Sequence, residues 1–138
     1  LVDPGLRTVA ERGEAITMEA YMNATMARTH LTTRMREFHQ SYDLLLTPTM
    51  PLSAFSLGSD TPIGPDGSSW DDCSPFTYPF NLTGQPAATV PCGFTSAGLP
   101  VGLQIVGRHY DEASVLRAAY AFEAANPQHR KTPEFTAA

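Results

Sequence analysis

Nucleophiles, bases and metal ligands come first, and their spacing here fits none of the common catalytic templates. The single lysine, Lys131, stands beside Arg130 in a polar tail, with no apolar pocket to favour its neutral form. It is a poor general base. The adjacent serines Ser68 and Ser69 lie in Pro65-Asp-Gly-Ser-Ser-Trp, which reads as an exposed turn. No Gly-x-Ser-x-Gly elbow occurs. Gly102-Leu-Gln-Ile-Val-Gly107 has the glycine spacing of a phosphate-binding loop, but Arg108-His109 replaces the required Lys-Ser/Thr. His30 and His39 are nine residues apart, too far to share a helix face as ligands. His109 and His129 complete no metal pattern. Glu11 with Glu14, and Asp71 with Asp72, read as solvated carboxylates. No metal, cofactor or catalytic residue is expected within the chain.

Composition narrows the class. The 138 residues are 42% hydrophobic and 17% charged, which suits one globular domain or a large piece of one. The net charge of −5 argues against a nucleic-acid surface. No apolar run approaches the roughly 20 residues of a membrane span, and no signal peptide is visible. The expectation is a cytoplasmic protein without direct nucleic-acid or membrane contact. There, Cys73 and Cys92 are expected to be free thiols, with a disulfide between them as the alternative, and Asn23-Ala-Thr and Asn81-Leu-Thr are chance matches to a glycosylation pattern.

The elements that would position a site follow from pattern. Asp3-Pro4 starts a short helix that Gly13 ends. Thr17 caps a long helix reaching Gln40. Its face is Tyr21, Ala24, Arg28, Leu31, Met35, Phe38 and Tyr42. Arg28 is the odd member, expected to pack its stem and keep its head in water. Leu44 to Thr47 forms a strand whose consecutive leucines imply burial on both faces. Residues 48–76 form a long Pro-, Gly- and Ser-rich loop with Phe55, Trp70 and Phe76 as aromatic anchors, which favours binding over a free linker. Ala87 to Val90 is a short strand bounded by Pro86 and Pro91. Thr95-Ser-Ala-Gly-Leu-Pro turns the chain into Val101 to Val106, so a hairpin is expected. Asp111 caps a last helix, Glu112 to Asn126, with Val115, Ala118, Ala119 and Phe122 buried. The tail, residues 127–138, is polar.

Asn81-Leu-Thr-Gly-Gln-Pro-Ala-Ala, then Val90-Pro-Cys-Gly, then Gly98-Leu-Pro-Val-Gly-Leu-Gln-Ile-Val-Gly resembles the C-terminal signature of the amidase signature family. The likeness extends upstream to Tyr42-Asp-Leu-Leu-Leu-Thr-Pro-Thr-Met-Pro and downstream through Glu112 to Glu123. The family comprises serine hydrolases of carboxamides and includes the A subunit of the glutamyl-tRNA(Gln) amidotransferase. The resemblance implies an α/β fold: a short mixed sheet with a β-hairpin, packed by a long N-terminal helix and a C-terminal helix. Residues 1–138 would be a single C-terminal fragment of an amidase domain, with 1–47 as helices and first strand, 48–76 as a substrate-side loop, and 77–126 as the signature hairpin and last helix. Asn81, Gly84, Pro86 and Pro91 read as architectural.

The family's machinery is a lysine, a bridging serine and a nucleophilic serine, with backbone amides as the oxyanion hole. Lys131, Ser68 and Ser69 do not match it, so the triad is expected on a missing N-terminal half and the chain alone is expected to be inactive. The resemblance makes Trp70, Asp71, Ser74, Thr77 and Tyr78 candidates for lining the pocket of a small-molecule amide. In the A subunits of tRNA amidotransferases an acidic residue commonly stands where this chain has Ser74, which favours an amidase of small aromatic or apolar carboxamides. A fragment of such a tRNA amidotransferase is the alternative, and a free-standing, non-catalytic interaction module is a second. A piece with one unmatched apolar face is expected to self-associate.

Overall fold

The computed structural model describes residues 4–55, 57 and 74–126. In chain order these form α1 (Pro4–Glu14), α2 (Met18–Ser41), β1 (Leu45–Pro48), α3 (Tyr78–Thr83), β2 (Ala87–Phe94), β3 (Pro100–Val106) and α4 (Glu112–Ala125). Asp3 and the tail lie outside the described residues.

The caps expected from the sequence form. Thr17 Oγ1 accepts the Ala20 N–H at 3.1 Å, which satisfies one orphan donor of α2. The Asp111 carboxylate accepts the Ser114 N–H at 3.3 Å at the start of α4. The ends of α2 are where pattern and fold diverge. Leu31, Met35 and Phe38 are half-buried, whereas Tyr21, Met22 and Met26 are exposed because no described element packs on the first turns. Arg28 does more than keep its head in water: its Nε donates to the Leu82 carbonyl at 2.7 Å. The guanidinium thereby meets the last turn of α3, where unpaired carbonyls favour a cation.

The sheet runs β1-β3-β2, and both pairings are antiparallel. Thus the described part of the expected mixed sheet is antiparallel throughout. The hairpin forms as expected, its turn closed by Thr95 N–H to Leu99 O at 2.8 Å and Gly98 N–H to Thr95 O at 2.9 Å. Pro91 does not end β2, contrary to the sequence expectation. The strand continues to Phe94 through a register shift between Pro91 and Gly93. In the described sheet β2 is an edge, so a residue without an N–H is tolerated there. The leucine run also departs from expectation: Leu46 is 57% exposed. It lies on β1, at the opposite edge, beyond the strands that α4 covers.

Two unlike faces result. Ala88, Val90, Leu103 and Ile105 meet Val115, Ala118, Ala119 and Phe122 of α4 in the apolar core. These are the α4 residues that the spacing picks out. The opposite face carries the cross-strand row Thr47–Gln104–Thr89, because directly paired residues point the same way. The alternation of β3 therefore divides core from site: Leu103 and Ile105 look inward to α4, Gly102 and Gln104 to the other side. The long helix α2 packs chiefly on α3 rather than on the strands.

Candidate functional site

Gln104 organises the polar face. Its side chain is buried at 4% exposure, and its Nε2 donates to the Thr47 hydroxyl at 2.9 Å and to the Phe76 carbonyl at 2.7 Å. One amide thus fastens β1 and the backbone of the segment before α3 to the middle strand. Both amide protons are used, as a buried donor requires. The fastened segment is the one that holds the predicted pocket residues. Ser74 is buried, and its carbonyl accepts the N–H groups of Thr77 at 3.1 Å and Tyr78 at 3.3 Å. The Thr77 hydroxyl also donates to that carbonyl at 3.3 Å. Tyr78 starts α3 and is 37% exposed. The structure therefore brings Ser74, Thr77 and Tyr78 together over the sheet; Trp70 and Asp71 lie outside the described residues.

Two residues along β3, Gly102 continues the same face. By the rise of a strand it stands roughly 7 Å from Gln104. Over it the hydroxyls of Thr49 and Thr89 hydrogen-bond each other at 3.1 Å. A methyl group on Gly102 would sit 2.8 Å from Thr49 Oγ1 and 3.0 Å from Thr89 Cγ2, so the approach needs glycine. The Thr49 N–H donates to the Gly102 carbonyl at 3.0 Å, which carries the β1–β3 pairing one residue past the strand. Beside this crossing lies a cavity of about 730 Å³, whose wall includes Leu52, Phe55 and Val101. Phe55, expected as an aromatic anchor of the loop, does line it. Ser74, Thr77 and Tyr78 are not among its lining residues; they flank it along the sheet.

A second network holds the other end of the segment. Gln85 Nε2 donates to the Gly107 carbonyl at 2.9 Å and to His39 Nε2 at 2.8 Å. With Nε2 accepting, the proton of the buried imidazole is on Nδ1, which donates to the Tyr42 carbonyl at 3.0 Å. The Thr83 hydroxyl donates to Gln85 Oε1 at 2.9 Å. His39 is thus a structural histidine that joins the end of α2 to the sequence after α3. Gly84 makes this turn with φ of 72°, the left-handed conformation that glycine adopts without a Cβ penalty. No group of three or more His, Cys, Asp or Glu suited to a metal occurs among the described residues.

Sequence reasoning does not single out Gln85, Gln104 and His39 as organising residues. The one signal it offers is alternation on β3: a glutamine at the centre of an apolar strand must find partners if its face is covered. Which partners they are depends on chain segments 28 and 57 residues away.

Comparison with known proteins matches this architecture. The model of the family described as Amidase matches residues 4–116. The A subunit of the glutamyl-tRNA(Gln) amidotransferase of Moorella thermoacetica is 46% identical over 116 residues, covering 83% of this chain and 23% of its own length. The crystal structure of its counterpart from Thermotoga maritima superposes with a TM-score of 0.74 at 34% identity, covering 99% of this chain and 31% of that one. A bacterial aryl acylamidase described as an amidase signature enzyme superposes with a TM-score of 0.75 at 28% identity, over 92% of this chain and 27% of that one. The chain spans about a quarter of the length of the curated relatives it matches.

Proposed function

The chain belongs to the amidase signature family, and from that premise we propose that it is the C-terminal, pocket-lining portion of an enzyme that hydrolyses carboxamides through a serine acyl-enzyme. The observation that carries this reading is the Gln104 clamp, which spans Thr47 and Phe76 and sets the Ser74–Tyr78 segment on a polar, glycine-floored face of the sheet. Such a face can hold an amide, and among its described residues no nucleophile stands with a base beside it. The bridging serine, nucleophilic serine and lysine belong to polypeptide beyond these residues, consistent with the quarter of the relatives' length that the chain spans. Trp70, Asp71, Ser74, Thr77 and Tyr78 line the acyl side of the substrate in this reading. The missing catalytic half is the main partner, and the complete enzyme is cytoplasmic.

The apolar residues left exposed on α1 and the first half of α2, including Leu6, Val9, Met18, Tyr21, Met22 and Met26, support a covering partner. In its absence the same surface drives self-association. The second reading, a fragment of a glutamyl-tRNA(Gln) amidotransferase, is favoured by the 46% identity to the A subunit of that enzyme in Moorella thermoacetica. The neutral Ser74 is the feature that sets the chain apart from it.

Fluorophosphonate labelling followed by intact-mass measurement tests the proposal. The chain alone is expected to gain no serine adduct and to release no ammonia from carboxamides. The longer polypeptide, carrying the family's lysine and serine run ahead of Leu1, is expected to label and to turn over. Labelling of the chain alone, or an inert longer polypeptide, refutes the reading.

A further inference from the structure

We propose that a cavity between the last turns of α2 and the end of β3 binds a phosphate group, held by Arg36, Arg108 and His109. The site is independent of the hydrolase reading and shares no lining residue with the cavity beside Gly102. It measures about 210 Å³. Sites for drug-sized ligands usually measure ~300–1,000 Å³, so this one suits a single charged group. Its construction follows from spacing. Thr32, Arg36 and His39 recur at steps of four and three along α2, so one helix face supplies a wall. Gln85, after α3, and Arg108 with His109, after β3, supply others. Part of this lining is frame. Thr32 donates its proton to the Arg28 carbonyl, and the Gln85 amide protons go to Gly107 and His39. His39 in turn has both ring nitrogens engaged.

The donors left over decide the class of ligand. Arg36 makes no ion pair or hydrogen bond among the described residues, so its whole guanidinium fork is open to a ligand. Arg108 gives one nitrogen to Asp43 at 2.7 Å. The Asp43 side chain is 90% exposed, so this is a weak surface pair that leaves the other guanidinium donors in place. The His109 ring nitrogens make no hydrogen bond among the described residues. The ring is nevertheless positioned: a methyl group on Gly84 would sit 3.0 Å from its Nε2, and the Tyr110 ring lies edge-on with centroids 4.1 Å apart. Asp43 offsets the charge of Arg108, which leaves Arg36 as an uncompensated cation. A phosphate group carries about −1.5 to −2 charges at neutral pH and presents three acceptor oxygens. Two guanidinium groups and an imidazole N–H, brought in from two separate segments, match that number of acceptors. A carboxylate has one charge and two oxygens, and would leave one of the three donors unmet.

Equilibrium dialysis of the chain against radiolabelled inorganic phosphate, at an ionic strength held constant with chloride, tests the site. It counts phosphate per chain whether or not the chain associates. Saturable binding of one phosphate per chain is expected. Arg36→Gln, at an exposed position and so compatible with folding, is expected to weaken binding at least about tenfold. Arg34→Gln makes the same charge change on the opposite side of α2 and is expected to leave affinity within about twofold. Circular dichroism of both variants checks that the helices are kept. Acetate is expected to displace the label at least about tenfold less effectively than unlabelled phosphate. Glycerol 3-phosphate identifies the source of the group. Displacement at lower concentration than phosphate assigns the site to a phosphomonoester, and at higher concentration to the free ion. Absence of saturable binding, indifference to Arg36→Gln, an equal loss in Arg34→Gln, or equal displacement by acetate overturns the assignment.

Discussion

Replacing Gln104 by leucine removes both hydrogen bonds of the clamp at nearly constant volume. Each bond contributes about 1 kcal/mol net, and the Phe76 carbonyl is left without its 2.7 Å donor. The expected loss is about 2–3 kcal/mol, or roughly 30- to 150-fold in the folding equilibrium constant. At this chain length that corresponds to a fall in Tm of roughly 7–10 °C. Leucine returns part of the loss by burying apolar surface, so the lower half of the range is the more stringent expectation. The effect has a location as well as a size. Amide hydrogen exchange in the segment from Phe76 to Gly84 should accelerate more than exchange in α4, which packs on the opposite face. Urea denaturation and exchange mass spectrometry on the two proteins provide the numbers. Stability within about 0.5 kcal/mol of the parent, with unchanged exchange at 76–84, refutes the clamp.

Two further outcomes follow from the same structure. The Ser114 side chain, working against desolvation and helped by the Ser114 backbone N–H and the charges of Arg117 and Arg108, holds the Asp111 carboxyl below its ordinary value. A carboxyl depressed by folding stabilises the folded state above its unfolded pKa, about 3.9, and that contribution fades as pH falls through the folded value. Asp111→Asn should therefore reduce the acid sensitivity of α4 seen by circular dichroism below pH 4; an unaltered acid transition contradicts the cap. The exposed apolar residues of α1 and α2 predict concentration-dependent association and apolar-dye binding of the isolated chain. A monodisperse monomer in sedimentation, binding no dye, is the contrary result.

Local chemistry in the sequence determined the long helices, the hairpin and the starts of α2 and α4. Thr17 and Asp111 cap the helices because a short oxygen-bearing side chain reaches the first free N–H groups from that position. The β2–β3 hairpin follows from turn residues between two apolar runs, and Val115, Ala118, Ala119 and Phe122 face the core because helical spacing puts them on one side. The signature around Asn81 to Gly107 also marks the family, since those residues are adjacent in sequence. Short range is where this legibility stops. Pro91 reads as a strand end, but an edge position lets β2 continue past it. Helix α3 is six residues long and lacks a side-chain cap, so it has little local signal. The Gln104 clamp, the Gln85–His39 network and the Arg28–Leu82 contact join segments 28 to 57 residues apart. No periodicity encodes such pairings. Only the tertiary structure decides them, because a buried donor takes whichever carbonyl or hydroxyl the packed backbone brings within 3 Å.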